Sequence, residues 1–190
     1  MDFFVYSRDA PGADALRDDA DLLEEHWTYM DGFADAMIAR GPTFAPDRET
    51  VTGSLHVLAL PSVAAATEFV EQEPNNRAGM YADHAVWLFE NLLGRTMWDF
   101  AGDAREPRFL VIAHAPRPMP PVAPCVELRE RLIVYGALSP PTGTEACGVT
   151  LAFHAPDRDA AIALLHDGPS GLAAFPRIDV HDWEFGGRRS

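Results

Sequence analysis

A chain of 190 residues with 47% hydrophobic side chains has enough apolar mass for one packed domain or two small ones. Its formal net charge of −14 would repel a phosphate backbone or an anionic membrane surface, and no Lys/Arg stripe reverses that locally. Nucleic acid and membrane are therefore excluded as expected partners, and the acids crowded into residues 14–25 read as a solvated helix start.

Two cysteines, Cys125 and Cys147, lie far apart without CxxC spacing, which suits a reducing compartment and two small buried side chains. The opening MDFFVYSRD has neither a basic leader nor a long apolar run, so a cytoplasmic protein is expected.

Residues 3–7 form a short apolar strand, broken by Asp9, Pro11 and Gly12. Asp14 reads as the cap of one long helix running to Ala39, with acids complementing the helix dipole. Leu22, His26, Met30, Phe33 and Met37 recur at steps of four, four, three and four on one face of it. Arg40-Gly41-Pro42 is expected to end the helix, before a strand at 43–45 and a polar turn at 47–50. Residues 53–60 alternate as a strand with two different faces, and Ser62 caps a helix to about residue 72. Pro74-Asn75-Asn76 and Gly79 make a corner, and 83–90 is a strand with Ala85, Trp87 and Phe89 on one face. The order βαββαβ closes as a four-stranded antiparallel sheet with both helices on one side, the ferredoxin-like arrangement.

The chain then repeats itself. Gly53, Pro61, Ala65, Ala66 and Pro74 recur as Gly148, Pro156, Ala160, Ala161 and Pro169, a constant separation of 95 residues from 53 to 148. One residue of slippage later, Asp83, Trp87 and Phe89 fall on Asp179, Trp183 and Phe185. The second copy reads as a strand at 109–114, a helix over about 122–135, strands after Gly136 and at 148–154, a helix at 157–166 and a strand at 178–185.

The expected organisation is α+β: a ferredoxin-like unit at 1–92, a connector at 93–106 packed down by Trp98 and Phe100, and a second, degenerate unit at 107–190. Each sheet would leave an aromatic face bare, carrying Trp87 and Phe89 or Trp183 and Phe185. Burying one aromatic is worth roughly 2–3 kcal/mol. The economical arrangement stacks the two sheets as an α/β barrel within one chain, a pseudo-dimer, with a homodimer of chains as the alternative.

His26 is the leading candidate for chemistry, because an ionisable group stands on an otherwise apolar helix face. Burial lowers an imidazole pKa and a carboxylate raises it, so such a group is suited to proton transfer. Asp9, ending the first strand, is the natural carboxylate to orient it. The plainer reading is a core histidine satisfied by one hydrogen bond. Ser54 stands beside Gly53 as a substrate anchor, and without a Gly-x-Ser-x-Gly elbow it is not read as a nucleophile. Arg8 suits a substrate carboxylate or a surface ion pair, and Tyr81 could cover the pocket mouth. His56, His84, His114, His154, His166 and His181 lack metal-ligand spacing and read as surface or packing residues, and no glycine-rich phosphate loop occurs. No metal or cofactor is therefore expected. In the second copy Pro121 stands at the position of His26 and Ala115 near that of Asp9, which points to a site in the first half only.

The first half also resembles the YCII-related family of small α/β-barrel proteins. The resemblance rests on Arg8-Asp9 ending the first strand, His26 on the helix, Gly41-Pro42, Gly53-Ser54, Ala65-Ala66, Pro74 and Gly79-Met80-Tyr81. The acid that usually precedes the corner proline is Glu73 here rather than Asp. The resemblance implies a dimeric ferredoxin-like fold and a His–Asp pair in a pocket, and some relatives look like lyases acting on chlorinated or hydroxylated aromatic rings. Two functions follow as expectations. One is a cofactor-free lyase or isomerase for a small cyclic or aromatic metabolite, using His26 and Asp9 with Ser54, Arg8 and Tyr81. The other is a non-catalytic small-molecule-binding or accessory protein. A cofactor-independent oxygenase is a third reading that no residue selects.

Overall fold

The computed structural model describes residues 1–103, 105–119, 124, 126–143, 145–166 and 172–187, without the side chains of residues 166 and 173. Eight antiparallel strands close into one barrel. They are β1 (Asp2–Asp9), β2 (Met37–Phe44), β3 (Val51–Ala59), β4 (Tyr81–Asn91), β5 (Arg108–His114), β6 (Leu132–Ser139), β7 (Gly148–His154) and β8 (Arg177–Trp183). Around the barrel the order is β1-β3-β2-β8-β5-β7-β6-β4. Six helices accompany them among the described residues: α1 (Asp14–Arg17), α2 (Ala20–Asp31), α3 (Val63–Gln72), α4 (Pro74–Arg77), α5 (Val126–Arg129) and α6 (Arg158–His166).

The α+β class and the antiparallel barrel agree with the sequence reading. The two sets of four strands do not remain separate stacked sheets, however. Their edges hydrogen-bond to each other, β2 to β8 at Thr43↔Trp183 and Phe44↔Asp182, and β4 to β6 from Leu88↔Ser139 to Asn91↔Gly136. Closure removes edges that would otherwise leave backbone groups unpaired. Two glycines make the seams possible. A Cβ on Gly41 would lie 1.8 Å from the Glu184 carbonyl oxygen, and one on Gly136 would lie 2.0 Å from the Phe89 ring.

The interior holds one apolar cluster, including Phe4, Leu55, Val57, Phe89, Leu110 and Trp183. Trp183 is fully buried and Trp87 packs against the same cluster, as the alternation of these strands predicts. Phe185 is 36% exposed and instead stacks under the Arg108 guanidinium, 4.3 Å from the ring centre. In the connector it is Met97 and Phe100 that reach the interior, while Trp98 stays exposed.

Three expectations fail locally. The single helix to Ala39 breaks after Arg17, because the Asp19 carboxylate accepts from the Asp21 and Leu22 amides and starts a new helix there. That helix ends at Asp31, and Met37 opens β2, where pairing with β3 overrides the continuing helical spacing. Gly41-Pro42 consequently lies inside a strand rather than at a helix end. Likewise the helix foreseen at about 122–135 is a single turn at α5 followed by β6, so Gly136 is mid-strand; residues 120–123 and 125 lie outside the described residues. Finally, the ladders equate Asp83, Trp87 and Phe89 with Arg177, His181 and Trp183, two residues from the sequence alignment of the repeat. A slip of two preserves the face, so the pattern of inward residues survived the misalignment.

Candidate functional site

Beneath α2 and α3, the outward face of the first four strands carries a polar group inside an apolar layer. The layer is Phe3, Val5, Met30, Met37, Leu58, Leu60, Ala66 and Phe69. His26 enters it from the middle of α2. Its Nδ1 donates to Glu73 Oε1 at 2.6 Å, with side chains only 14% and 5% exposed. Glu73 is the hinge of the site: it ends α3, caps α4 and accepts the Asn76 amide at 2.7 Å through Oε2. With Nδ1–H committed to the carboxylate, the other ring nitrogen, Nε2, makes no hydrogen bond among the described residues.

Asp9 is not the partner of His26. Its carboxylate is engaged bidentately by Arg17, Nε to Oδ2 at 2.9 Å and Nη2 to Oδ1 at 2.6 Å. The helix break at Asp18-Asp19 folds α1 back along the end of β1, and Arg17 takes the acid. The sequence signal for the true partner was present as Glu73 before the corner Pro74.

Ser54 and Tyr81 do come to this place. Ser54 lies on β3 opposite Ser7, nearly buried, within hydrogen-bonding reach of the Tyr81 hydroxyl. Burial and then the Glu73 charge push the Tyr29 phenol up to about 12 and Tyr81 higher still, so both remain hydrogen-bond donors at neutral pH. Arg8 does not join them. It stands on the other face of β1, exposed at the mouth of the barrel cavity, and pairs with Asp83, Nε to Oδ1 at 2.9 Å.

Two histidines that read as surface or packing residues, His56 and His84, complete the arrangement together with Ser7 and Asn76. His56 is buried beside His26, ring centres 6.1 Å apart. Burial, then the adjoining His26 and Arg40, lower its pKa to about 3, so it is a neutral imidazole. His84 donates from Nε2 to the Asn76 carbonyl oxygen at 2.8 Å; the Asn76 amide is fixed in turn by donating to the Val70 carbonyl at 2.9 Å. That leaves His84 Nδ1 to accept from the Ser7 hydroxyl at 2.8 Å. Burial lowers the His84 pKa, consistent with this neutral tautomer. The period-two spacing of Ser54 with His56 placed them on one face, but which face α2 would cover was not in the sequence.

The space among Val5, Ser7, His56, Phe69, Glu73, Tyr81 and His84 is about 10 Å³, room for roughly one water. A much larger cavity of about 390 Å³ lies on the other side of the sheet, inside the barrel, lined in part by Tyr6, Arg8, Trp87, His114 and His181. Among the described residues no cluster of three or more His, Cys, Asp or Glu could hold a metal ion, and no helix is long and apolar enough to cross a membrane. Cys147 is free and partly buried; Cys125 lies outside the described residues.

Residues 1–90 match the YCII-related domain. No curated protein is similar enough to match the chain. Among solved structures, a candidate chlorite dismutase is 10% identical, with 96% of this chain and 94% of that one covered and a TM-score of 0.55. A candidate monooxygenase of Fusobacterium nucleatum is 9% identical, with 97% and 91% covered and a TM-score of 0.52. These likenesses are of fold. The 5-chloro-2-hydroxyhydroquinone dehydrochlorinase of Burkholderia phenoliruptrix, solved with 2,5-dihydroxybenzoquinone, is 26% identical over 50% of this chain and 99% of its own, with a TM-score of 0.44.

Proposed function

With residues 1–90 a YCII-related domain, we propose that the chain is an internally duplicated, ferredoxin-like pseudo-dimer whose first half, residues 1–92, is a cofactor-free acid–base catalyst. Residues 93–106 join it to a second half, 107–190, that serves as scaffold. The reading of duplication is supported by strand order, β4-β1-β3-β2 in the first half and β8-β5-β7-β6 in the second.

The observation that carries the catalytic reading is the buried His26–Glu73 pair. Glu73 fixes the imidazole with its proton on Nδ1 and stabilises the imidazolium, which leaves Nε2 to take a proton from substrate and return it. Such an exchange suits elimination or isomerisation on a small cyclic or aromatic molecule, in which one bond to hydrogen breaks and a proton is delivered to another atom or to a leaving group. Tyr81, backed by Ser54, is a buried hydrogen-bond donor to the one small polar atom that the space behind His26 can hold. Because the space behind His26 holds only about one water, substrate meets the imidazole at its solvent edge.

The test is turnover against a panel of ring-bearing hydroxy acids, lactones and halogenated phenols. His26→Ala and Glu73→Gln should each lower kcat by about 10²–10⁴-fold, the usual contribution of general acid–base groups. Glu73→Asp should recover part of the loss, and Asp9→Asn should leave kcat within about threefold. Full activity in a folded His26→Ala protein would overturn the reading and favour a binding or accessory role.

A further inference from the structure

The interior cavity lies across the sheet from His26, and what lines it follows from the register of the strands. β1 with β4 and β5 with β8 pair identically, so each inward position of one half has a counterpart in the other. Deep in the barrel the counterparts are alike: Phe4 and Leu110, Phe89 and Trp183, all apolar and buried. At the end where β1 and β5 finish they are not. Arg8 corresponds to His114, Asp83 to Arg177 and Trp87 to His181. The same backbone positions thus support packing at one end and a set of differentiated polar groups at the other.

From this cavity we infer a second small-molecule site, one that takes an uncharged, planar molecule of one or two rings with hydrogen-bonding groups on its edge. At about 390 Å³ the cavity lies within the range of ligand pockets. Its charges are already matched: Arg8 is paired with Asp83, and Arg177 with Asp179 at 2.9 Å. A carboxylate or an ammonium would find no unmatched countercharge there, whereas a neutral ring needs none. Flat surfaces flank the space. Trp87 and His114 stack at 5.1 Å with 33° between planes, and Tyr6 lies 5.1 Å from His181. Such faces favour a planar ring over an aliphatic one. For the ring edge there are neutral partners. Burial holds both imidazoles below their ordinary pKa, and it keeps the Tyr6 phenol protonated.

This site is independent of the His26–Glu73 reading, and its test separates the two. The full chain is titrated with 2-naphthol while the Trp87 indole and the His114, His181 and His26 ring signals are followed by NMR. Saturable shifts of Trp87, His114 and His181, with His26 unmoved, are expected. Affinity should fall by about tenfold or more in Ala85→Phe, which fills the cavity, and in Trp87→Leu, which removes a wall. It should be unchanged in His26→Ala, and benzoate should bind at least about tenfold more weakly than 2-naphthol. Far-UV circular dichroism identifies which variants fold. Absence of saturable shifts, shifts centred on His26 and His56, unaltered affinity in whichever of the two cavity variants folds, or benzoate binding as tightly as 2-naphthol would each overturn the proposal.

Discussion

Beneath the helices of the two halves, matched backbone carries opposite chemistry. On the helix-covered face of the first half, Ser7, His56 and His84 lie about the His26–Glu73 pair, with Ser54 opposite Ser7 and within reach of Tyr81. The strand ladders place Ala113, Val149, Leu151 and Ile178 at the corresponding positions of the second half. There they belong to or pack against a mostly apolar layer with Phe109, Leu128, Tyr135, Phe153 and Leu165. Since the apolar version folds on the same strand order, the barrel does not require the polar one. Burying several hydrogen-bonded groups where hydrocarbon suffices is a disadvantage unless the groups act.

Exchanging the polar set for its counterparts is the strongest way to break this comparison. Ser7→Ala, Ser54→Val, His56→Leu and His84→Ile together should leave the protein folded, with Tm unchanged or raised, while turnover falls by about 10²–10³-fold. Unfolding of that variant, by differential scanning calorimetry, would show that the polar layer is structural after all.

The reverse exchange has the next largest effect. Leu151→His puts an imidazole into a mostly apolar layer, across from Tyr135 on β6, and should destabilise the protein by about 2–4 kcal/mol in urea unfolding. A loss below about 1 kcal/mol would mean that the second half accommodates polar groups as readily as the first.

The smallest effect is in pH dependence. His56 has a pKa near 3 when folded against 6.5 ordinarily, so between these values the unfolded chain binds more protons and stability rises with pH. As pH falls from 6.5 to 5 the wild-type protein should lose about 1–2 kcal/mol through this group. His56→Leu, which copies Leu151, should flatten that limb in urea titrations at several pH values. An unchanged slope would remove His56 as its source.

Much of this was legible in the chain. Alternation over residues 53–60 and 83–90 set the inward faces, and the 95-residue echo announced two similar halves. His26 stood out as an ionisable group on an apolar stripe. The pairing of His26 was less accessible, because Asp9 and Glu73 are both acids at element ends and local spacing does not choose between them. Arg17 decided it by taking Asp9. Arg8 and Ser54 illustrate the same limit: they look alike as polar residues near strand ends, yet they point to opposite faces of the sheet.

By itself the sequence determined the alternation of the strands and the Ser62 cap, because these depend on neighbours within a few residues, and its 95-residue echo marked the two similar halves. Only the tertiary structure decided that β2 replaces the end of a helix, that the two sheet edges join through Gly41 and Gly136, and that Glu73 rather than Asp9 holds His26. Those outcomes depend on which distant strand competes for a backbone hydrogen bond and on the helix break that folds Arg17 back onto Asp9, and local periodicity encodes neither.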